Sequence, residues 1–225
     1  MPPSGRRTEP PPVTATPPIL RVGLTGGVAS GKSTVAAMLS EQGACVVDAD
    51  RLVHEITSPG RAEFDEVVSH FGPGILDDAG SIDRARLGRI VFEDTAARRA
   101  LESILHPGVR AEAARRFENA AREWNCRIAV LDAALLVETG AYRDFHRLIV
   151  VRCERETQIG RLRERNGLSR KDAELRLAAQ APLEHKIAVA DYVIDTEGPL
   201  EETRDQTARV YAELQDAFDR EFLGG

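Results

Sequence analysis

The chain has 225 residues, a formal net charge of −6 and 42% hydrophobic residues. This length allows a buried core in one main domain, and the intermixed acidic and basic residues form no continuous basic surface that would attract nucleic acid. No apolar run approaches the roughly 20 residues that span a bilayer, so we expect a protein that binds neither nucleic acid nor membranes.

The first predicted element is a disordered tail over residues 1–18. This segment is rich in proline and poor in large apolar groups, so it cannot repay the entropy lost on ordering. After it, short β-branched runs alternate with longer helical patterns, which predicts an α/β fold with a parallel sheet covered by helices. The predicted strands span 19–25, 44–47, 127–131, 147–151 and 192–194.

The strongest motif follows the first predicted strand, where residues 26–33 read GGVASGKS and satisfy G-x-x-x-x-G-K-[ST]. Its glycines let successive N–H groups converge on phosphate oxygens at the positive end of the following helix. Lys32 is expected to reach the β- and γ-phosphates of ATP, and the Ser33 hydroxyl to ligate Mg²⁺. The alternative, a turn that only joins strand to helix, would not require lysine followed by serine here.

Carboxylates end the second and third predicted strands. Asp48 and Asp50 are two residues apart, so period-two alternation would place both on one side of an extended chain, at the sheet edge where ligands bind. Asp50 is our candidate base for an acceptor hydroxyl, and capping of the next helix is the alternative. Asp132 resembles a Walker B carboxylate that holds Mg²⁺ through water, with a strand-end cap as the alternative.

A long stretch over residues 58–124 shows helical apolar spacing, few strand signals, and turn signals at 72–74 and 106–108. We interpret it as a helical substrate lobe. His106 in this stretch is a candidate substrate contact, although a histidine before a proline more often caps or packs. A final amphipathic helix over about 199–222 is expected to pack against the sheet.

The stretch 154–186 predicts a helical hairpin that acts as a mobile lid. Arg161 and Arg165 lie four residues apart on its first helix and share a face, from which guanidinium groups would reach a transferring phosphoryl group. The alternative is a solvated, salt-bridged helix face, because glutamates are interleaved with these arginines. We favour Arg165 as the catalytic arginine.

The cysteines, Cys45, Cys126 and Cys153, are odd in number, far apart and include no C-x-x-C pair. This pattern suggests neither a disulfide framework nor a zinc site. The N-terminus also lacks the apolar segment of a secretory signal. We therefore expect a cytoplasmic protein with reduced cysteines.

Taken together, LTGGVASGKST, VVDADRLVHE, LHP, LLVE and the stretch from Gln180 through Lys186 to Asp191 resemble the ordered motifs of dephospho-CoA kinases, over about residues 20–198. The resemblance implies a P-loop NTPase fold, a three-layer sandwich with a five-stranded parallel sheet, occupying residues 19–225. It also implies a helical insertion for the pantetheine-bearing substrate and a lid that closes over ATP. The implied reaction is phosphorylation of the ribose 3′-hydroxyl of dephospho-CoA, the final step of coenzyme A synthesis.

The resemblance also implies roles for particular residues. Asp50 would face the ribose hydroxyl, Arg165 would be the lid contact, and His106 and Glu138 would lie on the substrate side. The ATP-binding loop would comprise Ala29, Ser30, Gly31, Lys32, Ser33 and Thr34.

Two positions depart from the family pattern. Ala29 replaces a usual glycine and is tolerable if its φ is negative, and alanine replaces the usual proline before Leu135 and Leu136. Rival interpretations are a kinase for a nucleoside monophosphate or sugar acid, and a nucleotide-dependent switch. The second is disfavoured because the chain lacks the N-K-x-D sequence by which GTPases select guanine. The sequence predicts no oligomeric state.

Overall fold

The computed structural model describes residues 17–224, which contain one parallel sheet of five strands in the order β2-β3-β1-β4-β5. The predicted α/β fold is therefore confirmed, and each strand agrees with its predicted bounds within one residue at either end. Of the predicted tail, residues 1–16 lie outside the described part of the chain. The strands are β1 (Leu20–Gly26), β2 (Cys45–Asp48), β3 (Ile128–Asp132), β4 (Arg147–Arg152) and β5 (Tyr192–Asp195).

Helices lie in three of the four connections between consecutive strands, because parallel neighbours cannot be joined by a tight hairpin. A loop over residues 133–146 joins β3 to β4. In chain order the helices of residues 17–224 are α1 (Lys32–Glu41), α2 (Ala49–Ile56), α3 (Ala62–Phe71), α4 (Arg84–Glu93), α5 (Thr95–Trp124), α6 (Arg155–Asn166), α7 (Arg170–Ala178), α8 (Leu183–Ile187) and α9 (Leu200–Phe218).

The sheet buries both faces, which gives three layers. Along β3, Ile128 and Val130 face a core built with α1 and α9, whereas Ala129 and Leu131 face a second core built with α5. This alternation follows from the two-residue period of a strand. Helix α9 packs against the sheet as predicted, through Val210, Leu214 and Phe218.

Residues 58–124 fold mainly as α3, α4 and α5, with a separate small core that includes Val67, Leu87 and Leu105. The predicted turn at 106–108 is wrong, because α5 continues through Pro107 as one helix of 30 residues. Proline fixes a helix-compatible φ but removes one backbone donor. Apolar contacts of Leu105 and Val109 on either side of Pro107 stabilise the continuous helix.

The stretch 154–186 contains α6 and α7, which pack on each other around Ile159, Leu162 and Ala173. Ser169 caps α7 by accepting a hydrogen bond from the N–H of Asp172 at 3.1 Å. The apolar cluster of this hairpin also includes residues of the loop after β1, so the hairpin and that loop share one small core.

The prediction that the cysteines form no disulfide is wrong for two of them. Cys45, at the start of β2, is bonded to Cys126, which precedes β3, and their Cα atoms lie 6.4 Å apart. Strands β2 and β3 are paired neighbours in the sheet, so Cys45 at the start of β2 and Cys126 just before β3 lie at the same edge of the sheet and come close together. Cys153 is a buried free thiol. The cysteines therefore give no argument for a reducing compartment.

Within residues 17–224, no helix combines the length and the apolar character needed to cross a bilayer.

Candidate active site

The glycine-rich loop lies between β1 and α1, and two of its glycines are required by local geometry. A Cβ on Gly26 would lie 2.6 Å from both Ser30 Oγ and the carbonyl oxygen of Val151, so a larger residue cannot fit. Gly31 has a φ of 86°, in the left-handed region, and caps the N-terminus of α1. The loop therefore delivers backbone N–H groups to the positive end of a helix, which favours an anion.

Ala29 departs from the expectation of a negative φ, because its φ is 58°. A left-handed conformation costs a non-glycine residue roughly 1–2 kcal/mol. Contacts on both sides of the residue oppose that cost. Its side chain packs against the apolar cluster of α6 and α7, and its carbonyl oxygen accepts a hydrogen bond from Arg161 Nη1 at 3.3 Å.

Two glutamines of the α6–α7 hairpin hold the preceding loop residue, Val28. Gln158 on α6 donates from Nε2 to the Val28 carbonyl oxygen at 2.9 Å. Gln180, which follows α7, accepts the Val28 N–H at Oε1 at 2.7 Å. Both ends of the α6–α7 hairpin therefore contact the glycine-rich loop directly.

Arg161 is also an anchor of the loop. Besides Ala29, its guanidinium donates to the carbonyl oxygen of Thr196 at 2.7 Å and to Thr196 Oγ1 at 3.1 Å. The Thr196 hydroxyl in turn donates to the Ser30 carbonyl oxygen at 2.6 Å. These contacts favour a structural role for Arg161, and sequence analysis missed Thr196 because no local motif marks it.

Lys32 and Asp132 form an ion pair where β3 ends beside the glycine-rich loop. Asp132 is 8% exposed, and this burial raises the pKa of its carboxyl group against the lowering effect of Lys32. The carboxylate therefore faces the loop lysine, so the strand-end cap considered for Asp132 is not what the structure shows.

The prediction that Asp48 and Asp50 share one side of an extended chain is wrong. The strand ends at Asp48, whose carboxylate accepts the N–H groups of Asp50 at 2.8 Å and Arg51 at 3.2 Å, so it caps α2. Asp50 lies in the first turn of α2 and is exposed. The capping alternative therefore holds for Asp48, whereas the Asp50 carboxylate takes no part in the cap.

Two cavities meet beside Asp50. The first, which we call the P-loop cavity, has a volume of about 850 Å³ and is lined by residues 27–34, by Arg161 and Arg165, and by residues that follow β5. The second, which we call the α5 cavity, has a volume of about 840 Å³ and is lined largely by α5 and by the loop after β3. The residues that line both cavities are Asp50, Ala134 and Gln180.

The remaining predicted residues fall in different places. Arg165 is exposed, lines the P-loop cavity and donates to the neighbouring Asn166 at 3.2 Å. His106 is half-buried and lines the α5 cavity. Glu138 lines neither cavity. Its carboxylate accepts from Lys186 Nζ at 2.7 Å and from the Ala181 N–H at 3.0 Å.

Lys186 is a fully buried cation that sequence reasoning did not single out. Its ammonium group donates to the carbonyl oxygen of Ala134 at 2.9 Å as well as to Glu138. A buried charge is tolerated only when it is paired and hydrogen-bonded. Lys186 therefore ties α8 to the loop that lines both cavities.

A glycine-rich anion loop on a five-stranded parallel sheet, with a second cavity opening at the same sheet edge, defines a P-loop kinase. The family model of dephospho-CoA kinase matches residues 20–202. The dephospho-CoA kinase of Symbiobacterium thermophilum is 51% identical over 185 residues, which are 82% of this chain and 77% of that protein. The chain belongs to the dephospho-CoA kinase family.

Two solved structures agree with this assignment. A Thermus thermophilus protein, TT1252, is 34% identical with a TM-score of 0.74, over 88% of this chain and 98% of that one. Dephospho-CoA kinase from Campylobacter jejuni is 28% identical with a TM-score of 0.64, over 88% of this chain and 98% of that one. Family and fold therefore agree over most of the chain.

Proposed function

We propose that the protein transfers the γ-phosphoryl group of ATP to the ribose 3′-hydroxyl of dephospho-CoA, giving coenzyme A and ADP, in the cytoplasm. The observation that carries the proposal is the junction of the two cavities at Asp50. The phosphate-binding loop lines one cavity, and the other cavity has a largely apolar wall. This is the arrangement that in-line transfer between a nucleotide and a bulky acceptor requires.

The P-loop cavity receives ATP in this proposal. The N–H groups of residues 29–34 surround the β- and γ-phosphates. When the nucleotide enters, the Lys32 ammonium group leaves its ion pair with Asp132 and binds phosphate oxygens. Arg165, exposed on α6, reaches the phosphoryl group when the hairpin 154–186 closes as a lid.

The α5 cavity receives dephospho-CoA, so that residues 58–124 act as the substrate lobe. Val109, Ala113 and Phe117 give it an apolar wall suited to the uncharged pantetheine arm, and Arg110 and Arg143 offer cations for the diphosphate. His106 lies on the same wall and is a substrate contact. Glu138 stabilises this region of the fold through its ion pair with Lys186.

The transfer balances without a further reactant. The 3′-hydroxyl oxygen bonds to the γ-phosphorus while the bond from that phosphorus to the bridging oxygen breaks, and its electron pair stays on ADP. The Asp50 carboxylate accepts the hydroxyl proton and orients the attacking oxygen. Because the transition state is loose, orientation contributes more than basicity.

Mg²⁺ fits the donor set at the loop. The Ser33 hydroxyl and the Asp132 carboxylate offer the oxygen ligands that this cation prefers, and waters and phosphate oxygens would complete its shell. When bound, the cation neutralises charge on the β- and γ-phosphates. We propose Ser33 and Asp132 as the residues that hold it.

Turnover with competing acceptors tests the proposal. Coupled ADP release is measured with dephospho-CoA, with a nucleoside monophosphate and with gluconate, and ³¹P NMR of the product locates the new phosphate. We expect multiple turnovers with dephospho-CoA alone and a 3′-phosphomonoester. Preference for another acceptor would support the rival kinase interpretation. Absence of multiple turnovers with every acceptor would support a nucleotide-dependent switch.

A further inference from the structure

Gln180 occupies the junction of the two cavities. It lies between the end of α7 and the start of α8, is half-buried, and lines both the P-loop cavity and the α5 cavity. Asp50 and Ala134 are the other residues that line both. Asp50 carries an acceptor group and Ala134 has an apolar side chain, so Gln180 contributes the side-chain N–H donor at this junction.

Contacts with the loop after β3 fix the backbone around Gln180. The N–H of the next residue, Ala181, donates to Glu138 Oε1 at 3.0 Å. The same carboxylate pairs with the buried Lys186, which also donates to the Ala134 carbonyl oxygen. The turn that carries Gln180 is therefore attached to the loop after β3, which is part of the sheet edge where transfer takes place.

A hydrogen bond to the glycine-rich loop orients the side chain of Gln180. Its Oε1 accepts the Val28 N–H at 2.7 Å, which fixes which end of the amide faces the loop. An amide group carries two further donors on nitrogen. Within residues 17–224, Gln180 Nε2 has no hydrogen-bond partner. A polar group in this position is set to bind something that enters the cavities.

We propose that Gln180 Nε2 donates a hydrogen bond to the phosphoryl group while it moves from ADP to the acceptor hydroxyl. This inference rests on the proposed function. Charge in such a transition state spreads over three equatorial oxygens, and donors fixed in advance stabilise it without reorganisation. Lys32 and Arg165 supply mobile cations. Gln180 supplies a neutral donor, which contacts with the glycine-rich loop and with the loop after β3 hold in place.

The decisive variant is Gln180→Glu. The carboxylate keeps an oxygen that accepts the Val28 N–H, so the anchor survives, but the donor is replaced by a negative charge. Loss of one such donor lowers kcat by about 10²–10³-fold. The added negative charge also repels bound ATP, so the KM for ATP should rise. The fall in kcat should be the larger effect, because the lost contact is made only in the transition state.

A pH profile separates donation from anchoring. A protonated carboxyl group donates a hydrogen bond, so the deficit of Gln180→Glu relative to the wild-type chain should shrink as the pH falls toward about 4.3, the usual pKa of glutamate. If Gln180 only anchors the loop, protonation should restore the KM for ATP by removing the charge repulsion but should not restore kcat, since the charged form accepts the Val28 N–H at least as well.

Gln158→Ala is the matched comparison, because Gln158 holds the same Val28 backbone but lines neither cavity. We expect it to lower thermal stability and ATP affinity more than kcat. A kcat of Gln180→Glu within about twofold of wild type, or an equal loss of kcat in Gln158→Ala, would overturn the donor role. A wild-type chain that does not phosphorylate dephospho-CoA would instead refute the proposed function, and this inference with it.

Discussion

The two cavities are built in different ways. In the P-loop cavity one contiguous segment, residues 27–34, forms a large part of the lining and brings its backbone groups and one lysine together. The α5 cavity is assembled from side chains of α2, α5 and the loop after β3, which lie far apart in the sequence. A phosphate group is recognised by backbone geometry that a short motif encodes, whereas a large organic acceptor requires surfaces brought together by the whole fold.

Lys32→Ala should give the largest effect and tests the P-loop side of this comparison. Removing the loop cation should lower kcat by roughly 10³-fold, because its charge is needed most while the phosphoryl group is in transit. The measurement is steady-state turnover, with circular dichroism and thermal unfolding to show that the variant is folded. Near-normal turnover by a folded variant would contradict the role of Lys32.

Lys186→Met tests the buried ion pair that holds α8 against the loop after β3. It removes the buried ammonium group that donates to the Glu138 carboxylate and to the Ala134 carbonyl oxygen, and breaking a buried ion pair costs about 3–5 kcal/mol. Urea unfolding should show this loss of unfolding free energy. The double variant with Glu138→Gln should lose less than the sum of the single losses, and strict additivity would show that the two side chains do not interact.

Asp50→Asn tests the carboxylate that borders both cavities. It should lower kcat roughly 10²-fold, the lower end for a lost general base, and leave ATP affinity unchanged, because the proposed function assigns this carboxylate to the acceptor hydroxyl. Isothermal calorimetry with ATP·Mg²⁺ provides the second measurement. A matching loss of ATP affinity would assign Asp50 to the nucleotide or its metal and remove the functional division between the cavities.

Ala29→Gly should give the smallest effect. Glycine removes the left-handed cost of roughly 1–2 kcal/mol but adds about 0.4–1 kcal/mol of unfolded-state entropy, so a small gain in unfolding free energy is expected. Ala37→Gly, the same change in the middle of α1, should instead destabilise by about 1 kcal/mol. Equal losses in both variants would show that Ala29 carries no backbone strain.

The sequence predicted what depends on short-range order. The five strands followed from β-branched runs, and helix α9 from its amphipathic pattern, because both signals are local. Errors arose where tertiary contacts decide the outcome. The onset of α2 turned Asp48 away from Asp50, and packing against α6 and α7 stabilised the positive φ of Ala29.

Residues that act across the fold left no signal in local spacing. Thr196 meets the glycine-rich loop across 166 positions, and Cys45 meets Cys126 across 81. Gln180 and Lys186 belong to a stretch that carried the family resemblance, but their contacts follow from how α8 docks on the loop after β3. Such pairings depend on strand register and helix docking, which periodicity does not encode.

The contact between the two cavities has a consequence for inhibition. Because Asp50, Ala134 and Gln180 border both spaces, a single bisubstrate compound that joins an adenosine phosphate to a pantetheine fragment would fill both cavities at once. Tethering turns the second association into an intramolecular event, with an effective concentration in the millimolar range for a short linker. Its selectivity would come from the apolar half, since phosphate-binding loops are shared by many unrelated enzymes.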